Sequence, residues 1–185
     1  MNPKSILIGL AGPAGAGKDT VADYLVEKHS FQKLSFAGPL KAMLAAGGMP
    51  EPQDRALKEL AIPGFDFSWR QAAQSLGTEW GRELDPDLWI KLVEKRIASI
   101  DNVLSSRGSR IVLSDVRFVN EAEMINRMGG SVVHILGRQA DLGLAASHVS
   151  EAKLMIEDQD LIIDNRGDIE QLHAEIEEVM YAVGN

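Results

Sequence analysis

Near-continuous apolar runs alternate along this chain with segments in which apolar residues recur every three or four positions. Ser5 to Ala11 (SILIGLA) is the first run, and so unbroken a stretch predicts a strand buried on both faces of a parallel sheet. From Lys18 onward Val21, Ala22, Leu25 and Val26 fall at helical spacing, predicting a first helix that ends near His29. Lys33 to Phe36 (KLSF) predicts a short second strand. GPLKAMLAAGG predicts a helix with Pro39 near its first turn and Gly47–Gly48 at its end. Glu51 to Ser68 is irregular, with Pro52 and Pro63 on either side of a helical turn, and reads as a mobile insertion rather than a linker between domains. Two helices follow, Trp69 to about Trp80 and Pro86 to about Leu104, the second with Asp85 as N-cap. Arg110 to Val116 (RIVLSDV) is a third buried strand, NEAEMINRMGG a helix with a glycine stop, Ser131 to Leu136 a fourth strand and Asp160 to Asp164 a fifth. Ile169, Leu172, Ile176, Val179 and Val183 mark a closing amphipathic helix.

Strands that alternate with helices specify an α/β fold built on a parallel sheet. The chain has 185 residues, 45% hydrophobic and 25% charged, enough to bury one good core, so a single domain over 1–185 is expected. A formal charge of −8 argues against a nucleic acid polymer as partner, and any phosphate site must therefore be built locally. The absence of cysteine excludes disulfides and thiolate metal sites, and the four histidines show no metal-ligand spacing. The first apolar run is too short for a membrane span and lacks a signal-peptide pattern, so a cytoplasmic protein with no membrane partner is expected. A homodimer stays open, since no patch in the sequence identifies an interface.

One stretch changes the picture. Gly12-Pro13-Ala14-Gly15-Ala16-Gly17-Lys18 satisfies G-x-x-x-x-G-K, and it lies between a predicted strand and a predicted helix, the context that this motif requires. Glycines let consecutive backbone N–H groups turn inward on phosphate oxygens, while the helix N-terminus and the Lys18 ammonium add positive charge. Such loops usually continue with Ser or Thr, whose hydroxyl ligates Mg²⁺. Here Asp19 stands in that place and Thr20 follows. Either Thr20 supplies the hydroxyl one residue later, or Asp19 reaches the metal directly or through water. Adenylate kinases carry GxPGxGKGT with threonine at the same offset, and that resemblance favours Thr20, leaving Asp19 at the helix N-terminus. Asp115, which closes the apolar run IVLSD, is placed as the second acidic element that holds Mg²⁺; the other reading is a carboxylate capping a turn.

GKDT, LSFAGPLK, LGTEWGRELDPDLW, LSDVRFVNEAEMINRMGG, HVSE and DLIIDNRGDIEQL, in that order through most of the chain, resemble the deoxynucleoside monophosphate kinases of bacteriophages. One departure is Gly38, where the family commonly has aspartate in SFADPLK. The resemblance implies a three-layer P-loop kinase fold with a five-stranded parallel sheet of order 2-3-1-4-5. It also implies a monophosphate-binding helical arm at about 38–105 and a short lid at about 137–150. By function it implies transfer of the γ-phosphate of ATP, with Mg²⁺, to a deoxynucleoside monophosphate, in the host cytoplasm if phage-encoded. Gly12, Ala14, Gly15, Ala16, Gly17, Lys18, Asp19 and Thr20 would bind ATP, joined by Arg138, Asn165 and Gly167. Arg117, with Arg70, Arg82 and Trp89, would bind the acceptor, and Lys18, Arg117 and Arg138 would act on the transferring group. A solvated helix face competes for Arg70, a surface arginine for Arg138, a plain turn for Asn165 and a core position for Trp89. Two other readings stay open: a kinase of another small phosphate ester, such as phosphomevalonate, and a nucleotide switch with no acceptor.

Overall fold

The computed structural model describes residues 5–54, 56–104, 108–137 and 154–184. The chain divides into two compact units, one made of 1–35 with 97–185 and the other of 36–96. The first unit holds all five strands: β1 (Ile6–Ala11), β2 (Gln32–Leu34), β3 (Arg110–Val116), β4 (Ser131–Gly137) and β5 (Leu161–Asn165). They pair in the order β2-β3-β1-β4-β5, every pair parallel, as expected of the family resemblance. Helices α1 (Lys18–His29), α6 (Val119–Arg127) and α7 (Ile169–Gly184) flank the sheet.

Alternation along β1 shows how the layers form. Ile8 and Leu10, fully buried, point into a cluster with Val21 and Leu25 of α1 and Leu172 and Ile176 of α7. Gly9 faces the other way, where α6 comes so close that a Cβ on Gly9 would stand 2.2 Å from the Ile125 side chain. The central strand is thus covered on both sides, as its unbroken apolar sequence requires. All crossovers bring the carboxyl ends of the strands to one edge, where ligands of open α/β sheets bind.

The second unit contains α2 (Gly38–Ala46), a short turn of helix at Ala56–Lys58, α3 (Trp69–Gln74), a π-helical turn (Ser75–Trp80), α4 (Gly81–Leu84) and the start of α5 (Leu88–Val103). Its core gathers Leu40, Leu44, Trp69 and Trp89. Ser68 opens α3 with a reciprocal cap: its hydroxyl accepts from Gln71 N at 3.2 Å, and its own N–H donates to Gln71 Oε1 at 2.7 Å. The expected helix ending at Trp80 instead runs on to Leu84 through the π turn. That turn wraps a buried indole, since Trp89 Nε1 donates to Gly77 O at 2.7 Å and a Cβ on Gly81 would stand 2.4 Å from the Trp89 ring. α5 begins later than Asp85–Pro86 suggests. Asp85 Oδ1 accepts from Asp87 N at 2.9 Å and Asp85 O from Leu88 N at 2.9 Å, which closes a turn before the helix starts.

Candidate active site

β1 delivers the chain to the carboxyl edge of the sheet, and residues 12–17 then turn it into α1. Gly12, Gly15 and Gly17 adopt φ of 137°, 83° and 101°, a region in which a side chain is strained, so the glycines of the motif are a backbone requirement. Two strand ends pin the loop from below. Asn165 Nδ2, at the end of β5, donates to Ala16 O at 2.8 Å, and a Cβ on Gly17 would stand 2.1 Å from that nitrogen. Gly137, at the end of β4 and paired with Asn165, lies so close that its Cβ would stand 2.6 Å from Ala16 Cα. Ala16 is consequently buried, while Ala14 and Gly15 remain exposed at the tip. The result is a braced loop with an open upper face.

Lys18, the first residue of α1, donates from Nζ to Gly12 O at 2.6 Å and Pro13 O at 2.8 Å, so its ammonium lies across the loop. Burial, and after it the Arg117 guanidinium, push the Lys18 pKa below the usual lysine value, whereas Asp19 and Asp115 act in the opposite direction. Lys18, Arg117, Asp115 and Asp19 therefore share one electrostatic neighbourhood. Asp115 reaches it from β3, whose register against β1 slips between the pairs Gly9–Leu113 and Ala11–Val116, placing one extra residue on β3 at Ser114–Asp115. A bulge there re-aims side chains at the strand end. Beyond it the buried Glu121 carboxylate accepts from Arg117 N at 2.8 Å and Phe118 N at 3.1 Å, locking the turn that carries Arg117 onto α6. Among the described residues no group of three or more His, Cys, Asp or Glu forms a metal cage. Asp115, whose charge Lys18 feels, and the exposed Thr20 are oxygen-bearing side chains of the kind Mg²⁺ takes in small number, with phosphate and water completing its shell.

The remaining sequence candidates separate clearly. Asp19 is exposed in the first turn of α1 and pairs with Lys33 at 2.9 Å. Gly167 lies against Gln171, whose Oε1 accepts from Asp168 N at 3.2 Å and whose backbone N–H donates to Asp168 Oδ1 at 2.9 Å at the start of α7. Arg70 pairs through Nε with Glu59, and Arg82 donates to Pro86 O at 3.2 Å, both within the second unit. Trp89 corrects the expectation of a stacking surface: it is 3% exposed and its indole N–H is spent on Gly77, so it is core. Arg138 and, apart from Gly137, the lid expected at about 137–150 lie outside the described residues. Sequence reasoning missed three residues that organise the site: Gly137, Glu121 and Lys33. Glu121 did carry a signal, as the last residue of DVRFVNE.

A family model described as deoxynucleotide monophosphate kinase matches residues 51–176. The deoxynucleotide monophosphate kinase of Escherichia phage RB69 is 33% identical to this chain over 128 residues, 68% of this chain and 50% of that protein. The enzyme of the same name from Enterobacteria phage T4 is 24% identical, over 94% of this chain and 98% of its own length. Among solved structures, the APS kinase CysC of Mycobacterium tuberculosis aligns over 99% of both chains at 12% identity and a TM-score of 0.47.

Proposed function

The chain belongs to the deoxynucleotide monophosphate kinase family, and from that premise we propose that it transfers the γ-phosphoryl group of ATP to the phosphate of a deoxynucleoside monophosphate. An acceptor phosphate oxygen bonds to the γ-phosphorus while the bridge to the β-phosphate breaks, leaving ADP and the deoxynucleoside diphosphate. No base is required, because the acceptor oxygen is already anionic at neutral pH. The observation that carries this reading is the glycine loop itself, strained at Gly12, Gly15 and Gly17, braced by Asn165 and crossed by the Lys18 ammonium, whose charge Asp115 and Arg117 influence.

In this reading the N–H groups of 12–17 and the N-terminus of α1 hold the β-phosphate, and Lys18 leaves its loop carbonyls to bind the β and γ oxygens. Arg117 offsets the repulsion between donor and acceptor, with Glu121 fixing the backbone from which it reaches. Asp115 and Thr20 would hold Mg²⁺, which neutralises charge that develops on the transferring group. Asn165 serves through the loop it braces, and for Gly167, which makes room for the Gln171 side chain, the support as a nucleotide contact is the sequence resemblance alone. For Arg82 and Arg70 the support is the sequence resemblance alone. A cytoplasmic location, in the host if phage-encoded, belongs to the same proposal; among the described residues no helix is long and apolar enough to cross a membrane.

A panel of deoxy- and ribonucleoside monophosphates with ATP and Mg²⁺, read as ADP released, tests the proposal. Acceptor-dependent release with deoxynucleoside monophosphates supports it. Release that ignores the nucleotide, or that follows only a different phosphate ester, overturns it.

A further inference from the structure

Asp19 sets a problem that the phosphate loop does not itself solve. It places a carboxylate directly after the lysine, close enough that Lys18 feels its charge, at the helix end that must receive a polyanion. Four residues later Asp23 adds a second carboxylate to the same face of α1. Lys33 stands opposite both. It is the middle residue of β2, paired in register with Val112 of β3, so its backbone is fixed by the sheet. From there Nζ meets Asp19 Oδ1 at 2.9 Å and Asp23 Oδ1 at 2.9 Å.

We propose that Lys33 is a positioning residue for nucleotide binding, which holds the Asp19 carboxylate away from the phosphate loop and offsets its charge there. The proposal deepens the kinase reading and rests on it for the identity of the nucleotide. Lys33 touches no substrate in this account; it acts through Asp19. Its ammonium stays charged at neutral pH, since the two carboxylates raise its pKa more than its partial burial lowers it. Without Lys33 the first two turns of α1 lose the ammonium that meets Asp19 and Asp23, and their negative charge weighs more on the incoming triphosphate. A charge pair as exposed as this one changes folding little, but a bound polyanion reads the same charge again through a helix end.

The experiment measures ATP affinity by calorimetry, in chelator so that no metal bridges Asp19 to the nucleotide, for the wild type, Lys33→Ala, Lys33→Arg and Lys33→Ala combined with Asp19→Asn. Lys33→Ala is expected to weaken ATP by about three- to fivefold at low ionic strength and by less than about twofold at high salt, where exposed charges are screened. Lys33→Arg keeps the charge and should stay near wild type. Asp19→Asn added to Lys33→Ala should restore most of the loss, because it removes the charge that Lys33 offsets. A merely structural Lys33 would give a loss that persists in the double variant and at high salt. That result, or unchanged affinity in Lys33→Ala, overturns the proposal. If the wild type binds ATP but phosphorylates no nucleotide, the acceptor reading fails while this inference still stands or falls on the binding data. If the wild type binds no ATP, both fail.

Discussion

Gly17→Ala isolates the way in which strand ends support the phosphate loop. Gly17 has φ of 101°, and an added Cβ would stand 2.1 Å from Asn165 Nδ2. Asn165 can swing aside, since the colliding atom is the tip of its side chain, but it then gives up its 2.8 Å bond to Ala16 O. Backbone strain of about 1–2 kcal/mol and a lost hydrogen bond of about 1 kcal/mol sum to roughly 2–3 kcal/mol. For a chain of this size that lowers Tm by roughly 5–10 °C. Asn165→Ala alone should cost about 1 kcal/mol, and the two substitutions together should fall short of additive by about that amount, because the bond can be lost only once. Gly12→Ala should be worse than Gly17→Ala, since its Cβ would meet the main-chain oxygen of Ile135 at 2.6 Å, and a strand carbonyl cannot swing aside. Urea and thermal unfolding of the four members of the cycle, with Gly12→Ala beside them, provide the measurement. Strict additivity, or a Gly17→Ala variant that melts with the wild type, would refute the bracing argument.

Arg117→Ala is expected to lose on the order of 10²-fold in acceptor-dependent rate with a much smaller change in ATP affinity, and Arg117→Lys to stay impaired because it lacks the planar fork; separate binding and turnover assays check this, and equal losses in both would remove Arg117 from the acceptor side. Asp115→Asn should raise the Mg²⁺ concentration needed for half-maximal turnover while leaving the melting temperature nearly unchanged, whereas an unaltered Mg²⁺ titration would reduce Asp115 to a turn cap. Toward the carboxyl end of α1, hydrogen bonds from His29 and then Tyr24 hold the Glu177 carboxyl below its usual 4.5. A depressed carboxyl stabilises the fold above the unfolded value and loses that contribution as pH falls through the folded one, so Glu177→Gln should flatten the stability profile below about pH 4.5 and matter far less at acid pH than at pH 7.

How far the sequence reveals this molecule depends on whether each feature is local. β3 runs from Arg110 to Val116 as its composition predicts, because a strand buried on both faces declares itself in a continuous apolar run. β2 is shorter and earlier than KLSF suggests, an edge strand of three residues too brief to carry a pattern. The π turn in 75–80 was invisible: its reason is an indole that arrives from Trp89 across the unit, and Gly77 and Gly81 read locally as mere weak points in a helix. In the site, the loop was legible because strained φ angles and a lysine that bonds back to the loop carbonyls go with a fixed residue pattern. The brace from Asn165 was not, since its partner is a main-chain oxygen 149 positions away and backbone acceptors leave no mark in a sequence. Trp89 misled for the complementary reason, because an aromatic ring suits a base and a core equally well until burial decides. Lys33 went unnoticed because β2 brings it beside Asp19 only in the folded chain.

The most direct measurement follows the γ-phosphoryl group itself. ATP labelled at the γ position is incubated with Mg²⁺ and one deoxynucleoside monophosphate, and the label is located by separating the products, with Lys18→Ala as the control that keeps the fold but lacks the phosphate-binding ammonium. The account predicts label in the deoxynucleoside diphosphate, in one-to-one ratio with ADP, and near-complete loss of that product in a natively folded Lys18→Ala variant. Label recovered as inorganic phosphate whether or not acceptor is present, or transfer that survives Lys18→Ala, would contradict it.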